Sequence, residues 1–268
     1  HKEVVKQNKI IKDQNKHITD SIEYAKFIQK AMITGEEVMR ETLKEYFVIF
    51  KPKDIVSGDF YWAKAVENKL VIAAVDCTGH GVPGAFMSIL GMTFLNEITL
   101  SSRNLKTNVI LDKLRDKVKE ALHQEDLRHQ ASDGMDMAII IIDYELNELE
   151  FSGANLPVYI AGSNENDILT ELKPDFMPIG IYAIEKPFTS TRIKLHKNDA
   201  IYLFSDGYID QFSEVDRKKF MSTQLKQLIL EINQRPMNDQ AEIFEQRFYD
   251  HKGNHQQIDD VMLIGIRV

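Results

Sequence analysis

Aspartates recur in this sequence where apolar, strand-like segments begin or end. Six of them adjoin such a segment: Asp59, Asp76, Asp136, Asp206, Asp259 and Asp260. A carboxylate at the end of a buried strand is costly unless it is paired, hydrogen-bonded or bound to a cation. If several of these strand ends converge, their oxygen atoms form a cluster of hard ligands suited to Mg²⁺ or Mn²⁺. The pattern therefore favours a carboxylate-bound metal site.

Each aspartate also has a structural explanation when it is considered alone. Asp206-Gly207 is a typical turn sequence, and Asp76 is placed to cap the helix predicted after the glycine-rich segment. Asp259-Asp260 can be read as the solvated start of a strand. Turn-forming and capping residues have no reason to keep adjoining buried strands, so the recurrence favours metal binding over these separate explanations.

The segment 76–84, DCTGHGVPG, is rich in glycine but does not resemble a phosphate-binding loop. It lacks the Gly-Lys-Ser/Thr ending of a P-loop and the spacing of a dinucleotide fingerprint. Its glycines are better explained by close passage of the backbone. His80 is either a general acid or, in the interpretation we favour, a histidine that hydrogen-bonds the turn. Cys77 lacks the partners of a nucleophilic thiol, and no GxSxG serine elbow is present.

The N-terminal segment has the pattern of a long helix that pairs with another helix. It contains no Gly or Pro before Gly35, and its apolar residues recur every seven positions: Val4, Ile11, Ile18, Ala25 and Met32. Three polar residues interrupt the second seam: Asn8, Asn15 and Gln29. Sustained seven-residue spacing is typical of a coiled coil. We expect a parallel homodimer through residues 1–34; the alternatives are a surface helix packed on its own domain and a helix ordered only in a longer protein.

The remaining sequence alternates between strand and helix patterns. It predicts a β-hairpin that turns at Glu67-Asn68 and an apolar helix from Ala85 to about Leu100. Of two amphipathic helices near the C-terminus, the second carries Asp239 and Glu242 at the spacing of a capping box. Strands in two blocks, with paired helices between them, predict an α+β fold of sheets covered by helix layers.

The composition narrows the classes of protein that remain. With 33 basic and 41 acidic residues, the 268-residue chain has a net charge of −8 and a pI near 5.5, which argues against a nucleic-acid binder. A single cysteine excludes a disulfide framework and suits a reducing, cytoplasmic compartment. No apolar run reaches the ~18 residues of a membrane span. Because the chain starts at His1 and has no signal segment, we expect a fragment of a longer protein.

Seven segments together resemble a known family. In chain order they are SGDFYW, VDCTGHGVPGAFMSILG, DGMDMAI, FSGANLPVYI, MPIGI, YLFSDGYIDQ and DDVMLIGIRV. They resemble the bacterial SpoIIE/RsbU-type serine phosphatases of the PP2C-like, metal-dependent (PPM) superfamily, over about residues 45–268. The preceding SIEYAKFIQKAMI is similar to the linker that joins sensor domains to this class. The division predicted is a coiled-coil linker helix at 1–34 and a phosphatase domain at 35–268.

The resemblance implies an α/β sandwich in which two antiparallel sheets face each other and each is covered by a helix pair. It also implies a centre of two metal ions between the sheets, Mn²⁺ or Mg²⁺, with a third ion in some members. Asp76 matches the aspartate that bridges both ions, and the backbone carbonyl of Cys77 matches a position that helps to hold the first.

The other acidic positions are assigned by the same resemblance. Asp206 and Asp259 match ligands of the second ion, although neighbouring Asp260 is an alternative to Asp259. Asp59 matches an acidic position that holds metal-bound water, which makes it catalytic together with Asp76. Asp136 is a weaker candidate for an additional ion. The arginine that grips phosphate in the eukaryotic branch has no counterpart that we identify here.

The function implied is hydrolysis of phosphoserine or phosphothreonine in a protein, by water that the two ions activate. The usual substrate in the family is a phosphorylated anti-sigma-factor antagonist or a similar regulator. One alternative is a signalling module that keeps the fold but not the activity; the presence of every core aspartate speaks against it. Another is a different metal-dependent phosphohydrolase, such as a nuclease or a nucleotide phosphatase. The acidic balance argues against nucleic acid but not against a nucleotide.

Overall fold

In the computed structural model, residues 2–33, 35–101, 105–125, 133–162 and 169–268 are described. Two five-stranded antiparallel sheets form the centre, with strands and helices numbered in chain order. The first sheet has the order β1 (Glu45–Lys51), β10 (Val261–Arg267), β9 (Ala200–Phe204), β6 (Val158–Ala161) and β7 (Leu169–Leu172). The second has the order β2 (Phe60–Val66), β3 (Lys69–Cys77), β4 (Met135–Asp143), β5 (Glu148–Ala154) and β8 (Thr191–Lys194).

Helices cover both outer faces of this sandwich and precede it. In chain order they are α1 (Lys2–Met32), α2 (Gly35–Thr42), α3 (Gly81–Ser101), α4 (Thr107–Ala121), α5 (Gly207–Asp210), α6 (Met221–Ile232) and α7 (Met237–Lys252). The pair α3 and α4 packs on the second sheet, and the pair α6 and α7 packs on the first. The predicted PP2C-like sandwich with a long N-terminal helix is confirmed. No helix among the described residues combines the length and apolar character needed to span a bilayer.

Alternation along the central strands builds three apolar layers. In β3 and β4, Ile72 and Ile140 point between the sheets, whereas Val71 and Ile139 point towards α3 and α4. Successive side chains of a strand lie on opposite faces, so a strand that is apolar throughout can serve two layers at once. This explains why the run MAIIIID, which shows no polar alternation, forms a strand buried on both faces.

Helix α1 is mostly free of the rest of the chain. Val4, Ile11 and Ile18 are 56, 53 and 59 % exposed, whereas Ala25 is half-buried and Met32 packs against the cluster beneath α3. The predicted seam is therefore divided: its first part faces solvent and its last part docks on the chain's own domain. A second short helix, α2, begins at Gly35, where the sequence indicates only a break.

Two predicted helix starts need correction. Helix α3 begins at Gly81 rather than Ala85. The chain enters it at a φ of +65° that only glycine adopts readily, and Pro83 lies in the first turn, where its missing N–H costs no hydrogen bond. The predicted capping box of α7 is wrong. Its N-cap residue is Pro236, no side chain caps it, and Asp239 lies inside the first turn.

The inter-sheet layer yields a stability prediction. Ile140 is completely buried between the sheets, so Ile140→Ala removes apolar contacts and leaves a cavity. We expect a loss of about 2–5 kcal/mol in the free energy of unfolding, measured by urea denaturation. The matched control is Ile184→Ala, since Ile184 is 70 % exposed and its truncation is expected to change stability little. Equal losses in both variants would contradict the layer assignment.

Candidate metal centre

Three of the predicted aspartates form a row across adjacent strands of the second sheet. Asp76 on β3 lies directly opposite Asp136 on β4. Asp59 immediately precedes Phe60, which pairs with Val75, so Asp59 lies on the other side of Asp76. In-register neighbours point to the same face, and like charges placed this way are destabilising. The row therefore concentrates negative charge at one end of the space between the sheets.

Two further aspartates approach from the first sheet. Asp206 follows β9 and Asp259 precedes β10, which are adjacent antiparallel strands. The pairing continues beyond β9, because Ser205 donates its N–H to the Met262 carbonyl and its hydroxyl accepts the Met262 N–H. The end of β9 and the start of β10 are thus held together, which brings both carboxylates to the same end of the sandwich.

Burial and mutual repulsion raise the pKa values of this cluster. Burial raises the pKa of Asp59 well above its usual range, and the charges of Asp260, Asp259 and Asp206 add to the effect, while a hydrogen bond with Ser205 opposes it. The pKa of Asp76 is also raised well above its usual range by burial. Four charges raise it further, those of Asp59, Asp206, Asp136 and Asp259. Asp76 therefore interacts electrostatically with each of the other four carboxylates.

The two outer members of the cluster are perturbed less strongly. Burial, followed by the charges of Asp210 and Asp259, raises the pKa of Asp206 to about 6. Burial also raises the pKa of Asp136, against the opposing effect of a hydrogen bond from Asn155. In that bond Asn155 Nδ2 donates to Asp136 Oδ1 over 2.8 Å, which restrains the orientation of the Asp136 carboxylate.

The donor set fits a hard divalent cation. Asp59 is 2 % exposed, yet its Oδ2 atom has no hydrogen-bond partner. A buried carboxylate oxygen without a partner is costly, and a cation removes that cost. As they stand, no three His, Cys, Asp or Glu side chains in the described ranges are gathered tightly enough to hold an ion.

Cys77 contributes only its backbone to this region. Its thiol is buried, and burial raises its pKa well above the usual range, so the thiolate that a nucleophile requires is disfavoured. The residue ends β3 directly after Asp76, where its main chain lies beside the carboxylate row. A hard carbonyl oxygen at this position suits the same kind of ion as the carboxylates.

The neighbouring aspartates 259 and 260 have different surroundings. Asp260 is buried, and its two oxygens accept N–H groups from Lys53 and Gly58, each over 2.7 Å. Its carboxylate therefore ties the loop before β2 to the start of β10. Asp259 is half-buried, and among the described contacts its carboxylate accepts only the Asp260 N–H, at Oδ1, which leaves Oδ2 available.

His80 lies beside the cluster in the glycine-rich turn. Its Nδ1 atom is 2.6 Å from Asp54 Oδ2, and both side chains are about half exposed. The contact joins the turn before α3 to the loop before β2, so the partner of His80 is Asp54 of another loop rather than the turn in which His80 lies. Asp54 was not singled out by the sequence pattern, since it stands next to no strand.

Other residues around the site are not indicated by the sequence either. Ser205 and Asn155 each hydrogen-bond a candidate ligand, yet neither stands in a recognisable spacing with it. Asn155 does carry a local signal, since an asparagine two residues after Gly153 is typical of a turn, and it adopts a φ of +59°. That signal indicates a turn and does not reveal the contact with Asp136.

Comparison with known proteins assigns this chain to a family. The profile of Stage II sporulation protein E (SpoIIE) matches residues 67–268. The chain is similar in structure to the SiaA-PP2C domain of Pseudomonas aeruginosa, with a TM-score of 0.86 and 28 % identity over 95 % of this chain and 98 % of that one. No curated protein sequence matches significantly.

Two more distant structures share the fold. The PP2C phosphatase domain of SpoIIE from Bacillus subtilis, with a fragment of its regulatory domain, matches at a TM-score of 0.67 and 19 % identity, over 84 % of this chain and 63 % of that one. The RsbU and RsbW domains of a Mycobacterium tuberculosis protein match at a TM-score of 0.64 and 21 % identity, over 84 % of this chain and 60 % of that one. Because the SpoIIE profile matches residues 67–268, which is most of the chain, the chain belongs to the SpoIIE family of PP2C-like phosphatase domains.

Proposed function

We propose that this chain is a metal-dependent protein serine/threonine phosphatase that acts in bacterial signalling. The observation that carries the proposal is the row Asp59, Asp76 and Asp136 across three adjacent strands. Asp206 and Asp259 face it from the other sheet. A fold that only binds a partner gains nothing from five carboxylates gathered at one end of the sandwich, where burial and like charge raise the pKa values of Asp59, Asp76 and Asp206. A cation-binding site explains why the chain keeps these buried, mutually repelling carboxylates despite their cost in stability.

The roles proposed for the residues follow from their positions. Asp76 lies in the middle of the row and is the member best placed to bridge two cations, with the Cys77 carbonyl as a further ligand of the first. Asp206 and Asp259 hold the second cation, and Asp136 supports an additional one. Bound Mn²⁺ or Mg²⁺ supplies Lewis acidity and lowers the pKa of coordinated water. Asp59, which is buried and has an oxygen without a partner, would hold a water molecule beside the cations by accepting a hydrogen bond from it.

The proposed substrate is a phosphorylated regulatory protein, such as an anti-sigma-factor antagonist. The matching RsbU and RsbW domains occur together in one protein of similar fold, which supports a role in a signalling assembly. The exposed mouth of the site supports a large substrate, because Asp206 and His80 both reach solvent there. A cytoplasmic location and an upstream sensor domain are parts of the same proposal.

We further propose that the chain forms a homodimer through residues 1–34. The exposed side chains of Val4, Ile11 and Ile18 form an apolar stripe at seven-residue spacing on the free part of α1. Such a stripe gains stability when a second copy of the helix covers it. The docked end of α1 then connects the pair to the phosphatase domain at 35–268.

Removal of the central charge tests the metal site. Asp76→Asn is expected to abolish Mn²⁺-dependent hydrolysis of a phosphoserine protein and of a small phosphoester. Without metal, the variant is expected to melt at or above the wild-type temperature, because the amide removes one of the repelling charges. Mn²⁺ should raise the melting temperature of the wild type but not of Asp76→Asn. The control is Asp116→Asn on the exposed face of α4. Activity at the wild-type level in Asp76→Asn would refute the proposal.

A second comparison separates the roles of the two adjacent aspartates. Asp259→Asn is expected to weaken Mn²⁺ binding with little change in metal-free stability. Asp260→Asn leaves one of the Lys53 and Gly58 N–H groups without its acceptor, so we expect a loss of about 1–3 kcal/mol in unfolding free energy. Calorimetric Mn²⁺ titration and urea denaturation measure the two effects. The reverse assignment would follow if Asp260→Asn lost Mn²⁺ affinity while Asp259→Asn lost stability.

A third experiment tests the dimer. Lys at both Ile11 and Ile18 places charge in the seam, so we expect monomers by light scattering and a lower turnover. Lys at both Val5 and Thr19 is the matched control, since it adds the same charge outside the seam. A dimer that survives the seam substitutions would remove the coiled coil. Monomers with unchanged turnover would show that turnover does not depend on the pairing of the two helices.

A further inference from the structure

The loop between α5 and α6 carries the one run of adjacent lysine or arginine residues in the sequence, Arg217-Lys218-Lys219. Its backbone is closed by three contacts. Phe212 and Lys219 form an antiparallel bridge. Ser213 donates its N–H to the Lys218 carbonyl over 2.9 Å and accepts the Arg217 N–H at its own carbonyl over 3.1 Å. Arg217 is held at a φ of +55°, an uncommon conformation for a residue with a side chain and one that is often retained at functional sites.

Of these three basic residues, Arg217 is left without an ion-pair partner among the residues that the structure describes. The two lysines that follow it pair with Asp216 and Asp210, over 3.7 and 2.6 Å. Glu214, another carboxylate of the loop, accepts two hydrogen bonds from Asn254. Because Arg217 is also exposed, its guanidinium is available to an anion from outside the chain.

Arg217 lines a cavity of about 290 Å³ at the edge of the metal centre. The other lining residues are Gln211, Phe212, His255, Gln256 and Ile258. Ile258 directly precedes Asp259, and its N–H donates to Gln211 Oε1 over 3.2 Å. Gln211 directly follows α5, the short helix that Asp206 precedes. The cavity is therefore next to the side of the metal centre that Asp206 and Asp259 provide.

The charge of this chain does not favour an anionic substrate. The net charge is −8, and the metal centre itself is built from carboxylates. A positive group at the rim offsets the repulsion at one point and selects a substrate that places a negative group against it. Among the described contacts, none joins Arg217 to a carboxylate of the metal centre. A neighbouring substrate residue is therefore a better ligand for Arg217 than the reacting phosphate.

We propose that Arg217 and the cavity beside it bind an Asp or Glu side chain that flanks the phosphoserine in the substrate protein. The inference rests on the proposed function and adds to it a preference for acidic sequences. The planar guanidinium binds a carboxylate through two parallel hydrogen bonds. Phe212 and Ile258 supply apolar walls for the methylene groups of the bound side chain, and His255 brings a further hydrogen-bonding group to the same cavity.

The test uses phosphoserine peptides that carry Asp or Asn at each flanking position in turn, with Mn²⁺ present. We expect the wild type to have a kcat/KM about tenfold higher with Asp than with Asn at one of these positions. Arg217→Gln is expected to lose this preference through a higher KM for the Asp peptide, while hydrolysis of a small phosphoester, which has no flanking residue, stays at the wild-type level. Arg217→Glu is expected to prefer Lys to Asp at the same position. Arg235→Gln is the matched control, because exposed Arg235 contacts Arg267 at the opposite end of β10 from Asp259.

The outcomes separate this inference from the proposed function. If the wild type hydrolyses no phosphoserine peptide, the proposed function fails and the inference fails with it. If the wild type hydrolyses the peptides but prefers Asp at no flanking position, or if Arg217→Gln keeps the preference, the inference alone is overturned. An equal loss for the Asp peptide, the Asn peptide and the small phosphoester would place Arg217 at the reacting phosphate and would also overturn it. If Arg217→Gln does not fold, Arg217→Asn is judged by the same preference, because asparagine tolerates a positive φ.

Discussion

Mutual repulsion among five carboxylates at one end of the sandwich is the constraint on which the surrounding structure depends. The antiparallel register sets Asp76 opposite Asp136, and the hairpin places Asp59 beside them. Burial and like charge together raise the pKa values of Asp59 and Asp76. The structure must therefore hold these side chains in place against a force that separates them.

Backbone contacts supply that restraint. Asp260 ties the loop before β2 to β10, and Ser205 continues the pairing of β9 with β10 past the end of the strand. Gly207, after Asp206, passes so close to the Asp260 carbonyl that any side chain there would clash. Its presence is thus a requirement of packing as well as of a turn. The rigid parts of the site are main chain, and the carboxylates project from them.

Helix α1 divides into a free part and a docked part with different roles. The free part exposes an apolar stripe, whereas the docked part carries one buried amide that reaches the Asp59 loop. A polar residue in an apolar seam costs stability, and such residues are often retained because they fix one arrangement. Gln29 fits this description, with the domain rather than a second helix as its partner.

The sequence by itself determined the layers of the fold and the set of acidic candidates. Strand periodicity and the turn at Glu67 are local properties, so β2, β3 and the apolar strand β4 could be predicted from spacing alone. The start of α7 could not, because a proline with φ near −52° took the place of the expected cap.

Only the tertiary structure decided which oxygen atoms face one another. The register of β3 with β4, the different partners of Asp259 and Asp260, and the contact of Gln29 with Ser57 join residues that are distant in the chain. No local pattern encodes such contacts. They depend on how the sheets and α1 pack, and packing is a property of the whole chain rather than of any segment.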